Sequence, residues 1–325
     1  MKRCGFHYFK TTATSLSVFP PRLPAMIESR NSTAKSMSYW LRPHTSKTRL
    51  PVLYIHGIGV GLVLSATFLH ELDRALNSDN KDDGEVGILA IEILQISSRL
   101  TSAILDRKEF LRQITQVLDA NDFGRFVLVS HSYGSVLSTH ILDDDGLSAR
   151  VSATLFVDPV TFLLHMPDVA YNFTVRKPNH ANEWQMWFFA SQDPCIAHTL
   201  GRHFFWSENV LWRDRVHRLV IKNGLKVTAS LASHDMIVDT QTVGMYLTEH
   251  QILDDAYEAD DNQSPVGLDI HKKAYGPAHS WKQRPWRGSG VEVVWWEGLD
   301  HGQVFDKQAT RAKLVDVCVE YCKDR

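Results

Sequence analysis

Short apolar runs alternate with stretches of helical period along most of the chain. Runs typical of buried strands occupy residues 51–55, 85–93, 125–131, 153–157, 225–231 and 291–296. Between them, apolar residues recur at the three- and four-residue spacing of a helix, as at Phe68, Leu69, Leu72 and Leu76. Strands and helices in this order predict right-handed crossovers and a mostly parallel central sheet with helices on both faces, an α/β fold. Residues 38–42 predict an additional, early edge strand.

The alternation is lost between residues 159 and 222, which are denser in aromatic side chains than the chain average of 10%. Two interpretations stay open for these rings: they wall an apolar pocket, or they form a small core within the insertion. After residue 253 the chain becomes acidic and then rich in Gly, Pro and Trp, which predicts a surface excursion over residues 254–290. The aromatic residues of the insertion include Phe162, Tyr171, Phe173, Trp184, Trp187, Phe188, Phe189, Phe204, Phe205, Trp206 and Trp212.

One segment joins a predicted strand directly to a predicted helix at a serine. The strand ends at Ser132, and apolar positions at helical spacing begin at Val136. A turn this sharp needs small residues two positions before and two after the serine, and Ser130 and Gly134 stand there. The pattern Ser-x-Ser-x-Gly therefore predicts a serine lifted clear of the sheet, a nucleophile elbow with serine in place of the first glycine.

This elbow resembles that of the α/β-hydrolase superfamily, in which a nucleophile, an acid and a histidine follow in that order along the chain. The resemblance implies Ser132 as nucleophile and His301, after the last strand, as base. It implies Asp235 as acid, because Ser-His-Asp-Met-Ile-Val is similar to the loop after the strand that follows the cap. Asp158 is the alternative acid, since some lipases of this fold take it from the strand after the elbow helix.

Two other aspartates near these positions are weaker candidates. Asp239 is interpreted as a helix N-cap and Asp300 as a solvated neighbour of His301.

The Gly-rich segment after the first strong strand predicts an oxyanion loop at His56, Gly57 and Gly59. Glycines let the backbone approach a substrate closely. The developing negative charge would be held by the backbone N–H groups of Ile58 and Tyr133, the latter directly after the nucleophile. In this superfamily a histidine at the position of His56 is often structural.

The resemblance covers roughly residues 50–160 and 225–325. It implies a core of residues 39–158 and 223–325 and a cap or lid at residues 159–222. Residues 1–38 carry Lys2, Arg3, Lys10, Arg22, Arg30 and Lys35 against one acid, Glu28, and are rich in Ser and Thr. That composition fits a disordered leader or an organelle (mitochondrial) transit peptide, with Met26 as an alternative start.

Charge, cysteine spacing and hydropathy exclude several classes of function. A formal charge of −2 and a pI near 6.8 argue against nucleic-acid binding. Four cysteines without framework spacing favour a reducing, intracellular compartment, and the pair Cys318 and Cys322 is interpreted as helix packing. The run from Pro51 to Leu69 is interrupted by glycines and is not interpreted as a transmembrane helix. The oligomeric state is not predicted.

The leading interpretation is a serine hydrolase that needs no cofactor or metal and cleaves a carboxylic ester with an apolar moiety through an acyl-enzyme on Ser132. Two alternatives stay open. One is a catalytically silent relative that binds a hydrophobic ligand or a partner protein. The other is an acyltransferase of the same fold.

Overall fold

A nine-stranded sheet forms the centre of the computed structural model, which describes residues 5–11, 16–17, 29–78, 83–248 and 280–323. The six apolar runs of the sequence form six of its nine strands, and two further strands of the described chain pair separately. The strands are β1 (His7–Lys10), β2 (Leu16–Ser17), β3 (Ser29–Asn31), β4 (Ser38–Arg42), β5 (Val52–Ile55), β6 (Ile88–Glu92), β7 (Arg99–Leu100), β8 (Phe126–His131), β9 (Val151–Val157), β10 (Lys226–Ala232) and β11 (Val291–Trp296).

The strand order in the sheet is β11-β10-β9-β8-β5-β6-β4-β1-β3, and β2 pairs with β7 separately. The strands from β11 to β6 are parallel to their neighbours. β4 runs antiparallel to both β6 and β1. The predicted mostly parallel sheet is therefore confirmed. The strand predicted at residues 38–42 forms, but it is not at the edge, because β1 and β3 extend the sheet beyond it.

The helices connect successive strands as the amphipathic pattern predicts. The α-helices are α1 (Ala66–Asn77), α2 (Arg107–Asp119), α3 (Gly134–Asp143), α4 (Asp145–Ser148), α5 (Pro167–Ala170), α6 (Ala181–Met186), α7 (Pro194–Arg202), α8 (Trp206–Asn209), α9 (Arg213–Asn223), α10 (residues 240–248, where the described segment stops) and α11 (Gln308–Tyr321). Single π-helical turns, Tyr171–Val175 and Trp187–Ser191, continue α5 and α6. Short 3-10 turns occur at Gly61–Val63, Leu94–Ile96, Ser280–Gln283 and Gln303–Phe305.

The core lies on both faces of the sheet. Successive side chains of a strand point to opposite faces, so Val52 and Tyr54 belong to one apolar cluster and Leu53 and Ile55 to the other. Helices α1 and α11 cover the first face, and α2 and α3 cover the second. Because both faces are covered, the parallel strands are apolar throughout rather than alternating.

The start of the chain differs from the prediction of a disordered leader in the parts that are described. β1 pairs with β4, and Phe6 is buried in the core. The ring of Tyr8 lies 5.0 Å from that of Trp40, and Phe9 stacks on Tyr39 at 4.8 Å. These aromatic contacts, together with the unpaired edge that β4 offers, give the segment enough apolar burial to be ordered. Targeting by residues 1–38 stays a prediction.

Residues 159–222, all of which are described, hold α5 to α9 and no strand. They leave the sheet at the end of β9 and return at β10, its neighbour. The loss of strand pattern in the sequence thus corresponds to a helical insertion between adjacent strands. Its function as a cap stays a prediction.

Of the surface excursion predicted at residues 254–290, residues 254–279 lie outside the described residues. The end that is described is not a solvated loop: Trp281 is buried, and its ring fills the space where a side chain on Gly244 would stand. Cys318 on α11 and Cys322 directly after it are free and buried, as predicted for packing residues. No helix in the described segments is long and apolar enough to cross a membrane.

The burial of Phe6 generates a test of the ordered leader. Phe6→Ala should lower the free energy of unfolding by about 3 kcal/mol, because truncating a buried aromatic ring leaves a cavity. Urea unfolding followed by tryptophan fluorescence measures the change. Leu16→Ala is the matched control, since Leu16 is exposed on the separate strand β2, and its effect should stay within about 0.5 kcal/mol. Equal, small effects of both variants would show that β1 does not contribute to the core.

Candidate active site

The carboxyl ends of neighbouring parallel strands bring the predicted residues to one edge of the sheet. Ser132 follows β8, Asp158 follows β9, and Asp235 lies in the turn after β10. His301 lies in the loop after β11. This edge is where open parallel sheets place their binding sites.

Ser132 has a strained backbone, with φ of 52°, a conformation that favours glycine. Its N–H donates to the carbonyl oxygen of Val157 at 2.9 Å, and its own carbonyl accepts from Ser135. A side chain on Gly134 would overlap the carbonyl oxygen of Ile55. The structure therefore gives the elbow the tight turn that the sequence predicts, and glycine is required at residue 134 because α3 begins against β5.

Ser132, His301 and Asp235 form a continuous chain of hydrogen bonds. His301 Nε2 lies 2.9 Å from Ser132 Oγ, and His301 Nδ1 lies 2.7 Å from Asp235 Oδ2. The second oxygen of Asp235 accepts from the N–H groups of Ile237 and Val238 at 2.8 and 3.0 Å. Both carboxylate oxygens thus have partners, which fixes the orientation of Asp235 and, through it, of the imidazole.

Asp158, the alternative acid, lies next to this chain without bonding to the imidazole. Its Oδ2 accepts from the N–H of Gly302 at 2.8 Å. The side chain is fully buried. Asp158 therefore supports the backbone of the loop that carries His301, whereas Asp235 contacts the ring itself.

Asp300 differs from the prediction of a solvated neighbour, because it is buried. Its Oδ1 accepts from the N–H groups of His301 and Met236 at 2.7 and 2.9 Å. Its Oδ2 accepts from Asn182 Nδ2, on α6 of the insertion, at 2.5 Å. One carboxylate thus joins the histidine loop, the loop of Asp235 and the insertion. The sequence gives no indication of Asn182 and predicts Asp300 to be solvated, since nothing local marks this three-way contact.

Asp239, by contrast, has the position predicted for a helix N-cap. Its side chain accepts from the N–H of Thr242 at 3.1 Å and from the Thr242 hydroxyl at 2.6 Å, at the start of α10. It forms no part of the hydrogen-bonded chain described above.

The charges around His301 favour its protonated form. Burial by itself lowers the pKa of His301, but the carboxylates of Asp235, Asp158 and Asp300 outweigh it and raise the pKa to about 9. Burial, together with the nearby Asp235 carboxylate, raises the pKa of Asp158, while His301 opposes that shift. The carboxylates of Asp235 and Asp158 both interact with the imidazole of His301 in a buried space, so the charge states of these three groups are linked.

The loop after β5 lies against the serine. A Cβ on Gly57 would be 2.7 Å from Ser132 Cβ, so only glycine allows this approach. Gly59 has φ of 134°, and its N–H donates to the carbonyl oxygen of Ile96 at 3.0 Å.

The buried ring of His56 accepts from the N–H of Ile93 through Nε2 at 2.9 Å. Its Nδ1 therefore carries the proton and donates to the carbonyl oxygen of Gly57 at 2.6 Å, which holds the loop in place.

His131 packs against His301 and against Phe305 of the 3-10 turn Gln303–Phe305. Its ring centroid is 5.5 Å from that of His301 and 5.1 Å from that of Phe305, which it meets edge to face. Burial, reinforced by the neighbouring His301 and His56, holds the pKa of His131 well below its usual range. It is therefore neutral near His301 and packs as an aromatic residue.

A cavity of about 680 Å³ opens beside the serine. Ser132, Tyr133 and Ile58 line its inner end, and the insertion supplies most of the remaining wall. Two lining hydroxyls are occupied by backbone acceptors: Thr174 donates to Ala170 and Ser191 donates to Phe173. The wall is consequently apolar apart from Ser132, the phenol of Tyr133 and the exposed imidazole of His165. The other lining residues include Val160, Leu164, His165, Met166, Val169, Phe173, Leu200, Phe204, Trp206 and Ile237.

The aromatic residues of the insertion follow neither interpretation completely. Phe173, Phe204 and Trp206 line the cavity, as a pocket wall requires. Phe162 is buried. Most of the others are exposed to solvent, so they do not form an internal core: Tyr171, Trp184, Phe188, Phe189, Phe205 and Trp212.

The insertion contains five histidines, a residue type that commonly ligates metal ions. His198 and His203 lie with ring centroids 5.0 Å apart. Within the described ranges no group of three or more His, Cys, Asp and Glu side chains is arranged to hold a metal ion.

Comparison with solved structures places this geometry in a known class of fold. The chain is similar to a carboxylesterase of the ammonia-oxidizing thaumarchaeon Nitrososphaera gargenis, with a TM-score of 0.52 and 12% identity, over 89% of this chain and 97% of the esterase. It is also similar to the meta-cleavage product hydrolase of Pseudomonas fluorescens IP01, with a TM-score of 0.54 and 11% identity, over 89% of this chain and 96% of that chain.

The chain has the α/β-hydrolase fold. The fold implied by the elbow is therefore confirmed. No protein-family model and no curated protein matches the sequence.

The carboxylates around His301 predict how its imidazole titrates. We expect the midpoint above pH 7, near the value of about 9 given above, because removing the proton leaves the buried carboxylates without a countercharge. Asp158→Asn should lower the midpoint. The imidazole resonances of His301, followed by NMR across pH, measure it. Asp119→Asn, on α2 and paired with Arg150, is the control and should leave the titration unchanged. A midpoint below pH 6.5 in the unaltered protein would contradict the expectation.

Proposed function

We propose that this protein is a serine hydrolase that cleaves a carboxylic ester with an apolar moiety. The observation that carries the proposal is the hydrogen-bonded chain from Ser132 through His301 to Asp235 at the inner end of an apolar cavity. A serine hydroxyl is a weak nucleophile at neutral pH, and an imidazole held by a carboxylate is the group that activates it. The similarity to solved hydrolases supports the fold on which this chemistry operates.

In the first half of the reaction, neutral His301 takes the proton of Ser132 through Nε2 while Oγ attacks the ester carbonyl carbon. The carbonyl oxygen becomes an oxyanion, which the N–H groups of Ile58 and Tyr133 would stabilise. The intermediate collapses by breaking the bond to the alcohol oxygen, which leaves with the proton from His301. An acyl-enzyme on Ser132 remains.

In the second half, water loses a proton to His301 and attacks the acyl carbon. The second tetrahedral intermediate expels Ser132 Oγ, which recovers the proton, and the carboxylic acid leaves. Asp235 keeps Nδ1 protonated throughout and stabilises the imidazolium. Only neutral His301 can act as base, so its raised pKa predicts a rate that increases as pH rises above 7.

The role of Ser132 is tested with a fluorophosphonate probe, which phosphonylates an activated serine. We expect the unaltered protein to be labelled and Ser132→Ala to lose labelling and ester hydrolysis. Ser191→Ala is the matched control, because Ser191 also lines the cavity but its hydroxyl is bonded to the backbone. It should be labelled like the unaltered protein. If the unaltered protein is not labelled, or if Ser132→Ala is labelled equally, the proposal of a serine hydrolase acting through Ser132 is wrong. Absence of labelling would favour the catalytically silent relative. An ester product in place of a free acid would identify acyl transfer instead.

The choice of acid is tested by comparing Asp235→Asn with Asp158→Asn. Asp235→Asn should lower kcat by about 10⁴-fold, since the imidazole loses the carboxylate that holds its tautomer. Asp158→Asn should lower it by about tenfold or less, because its contact is with the backbone of Gly302. Steady-state hydrolysis of a soluble short-chain ester measures both. Activity that survives Asp235→Asn but is lost in Asp158→Asn would assign the acid to Asp158.

A further inference from the structure

The insertion presents large aromatic rings to solvent. For six of these aromatic residues, 46 to 67% of the surface is exposed to solvent. Scattered apolar side chains on a protein surface are common, but so many aromatic rings within fifty residues are not, because their burial is a main source of folding energy. We refer to them as the aromatic surface: Tyr171, Trp184, Phe188, Phe205, Trp206 and Trp212.

Two parts of the aromatic surface are stripes on neighbouring helices. Tyr171 lies four residues before Val175, which is also exposed, on the helix formed by α5 and its π turn. Trp184 lies four residues before Phe188 on the helix formed by α6 and its π turn. Side chains four apart share a helix face. Each helix therefore has an apolar face that the rest of the described chain leaves in solvent.

The cavity reaches the aromatic surface at Trp206. Met166 and Trp206 are both exposed and part of the cavity wall. The imidazole of His165 lies between two rings of the aromatic surface, with centroids 6.4 Å from Trp206 and 5.1 Å from Trp212. A protein partner seated here would cover the mouth of the cavity. A lipid surface would instead place hydrocarbon at the mouth.

The charge of the insertion complements an anionic lipid surface. Residues 159–222 contain seven Lys and Arg, five Asp and Glu and five His, whereas the whole chain contains 35 Lys and Arg and 37 Asp and Glu. The insertion is thus positive in a protein that is slightly negative. Trp and Tyr, which combine an apolar ring with one polar atom, suit the boundary between headgroups and acyl chains. Four of the seven basic side chains of the insertion are exposed, Lys177, Arg202, Arg218 and Lys222, and exposed basic residues attract anionic headgroups.

We propose that the aromatic surface docks on an anionic phospholipid bilayer, with the mouth of the cavity facing the lipid. An ester with a long hydrocarbon chain then passes from the bilayer into the cavity without crossing water. The docking requires no residue of the hydrogen-bonded chain. Only the uptake of substrate rests on the proposed function.

Docking is tested with the full chain carrying Ser132→Ala, which excludes turnover of lipid. Co-sedimentation with vesicles of phosphatidylcholine, with and without phosphatidylserine, measures binding. We expect binding that is tighter with phosphatidylserine and weaker at high salt. Adding Trp184→Ser and Phe188→Ser should weaken it by about tenfold or more, since two exposed rings no longer enter the lipid. Ile221→Ser is the matched control, because Ile221 is exposed on α9 outside the aromatic surface, and it should bind like the parent.

Two results overturn the proposal. One is the absence of binding to both vesicles. The other is equal binding by the double variant. If the unaltered protein self-associates in analytical ultracentrifugation and the double variant does not, while neither binds vesicles, a second copy of the chain covers the surface instead.

Failure of docking is separable from failure of the proposed function. In the protein that keeps Ser132, the changes Trp184→Ser and Phe188→Ser should leave hydrolysis of a soluble short-chain ester unchanged, because neither residue lines the cavity. If the double variant loses vesicle binding but keeps fluorophosphonate labelling, the aromatic surface has been altered and the proposed hydrolase site has not. Vesicle binding without labelling would reject the hydrolase and leave the docking surface in place.

Discussion

The close contact of three backbone segments at Ser132 is the constraint on which the site depends. The loop after β5 passes so near that Gly57 has no space for a side chain, and α3 begins so near β5 that the same holds for Gly134. Ser132 itself takes a left-handed conformation that costs about 1–3 kcal/mol, offset by the buried strands around it. This packing fixes the hydroxyl at the edge of the sheet. His301 and Asp235 can then be positioned by neighbouring strands, although they are distant in sequence.

Features set by local sequence could be predicted. The elbow is a strand, a turn and a helix within a dozen residues, and its small residues mark it. A parallel sheet brings the carboxyl ends of its strands to one edge, so the predicted residues were expected there. The sequence favoured Asp235 as the acid but could not exclude Asp158, because both follow strands that end there. Which of them meets the imidazole depends on a few ångströms of loop geometry that only the tertiary structure sets.

Features set by distant contacts were missed or wrongly predicted. Asp300 is interpreted from the sequence as a solvated neighbour of His301. In the structure it is buried and accepts hydrogen bonds from N–H donors of three residues, His301, Met236 and Asn182. The ordered part of the leader depends on the free edge of β4, which its own composition does not reveal. The exposure of the insertion's aromatic rings was also unpredictable, since composition gives the number of rings but not the side on which each lies.

Asp300 has a thermodynamic consequence beyond the contacts it makes. Its carboxylate raises the pKa of His301 while accepting a hydrogen bond from Asn182 of the insertion. Moving α6 away from the core admits water to Asp300 and weakens its effect on the imidazole. Linkage requires the reverse to hold: a proton on His301 strengthens the attachment of the insertion, and its loss weakens that attachment. The proton whose loss makes His301 a base in the proposed mechanism therefore also strengthens the attachment of α6 to the loop that carries His301.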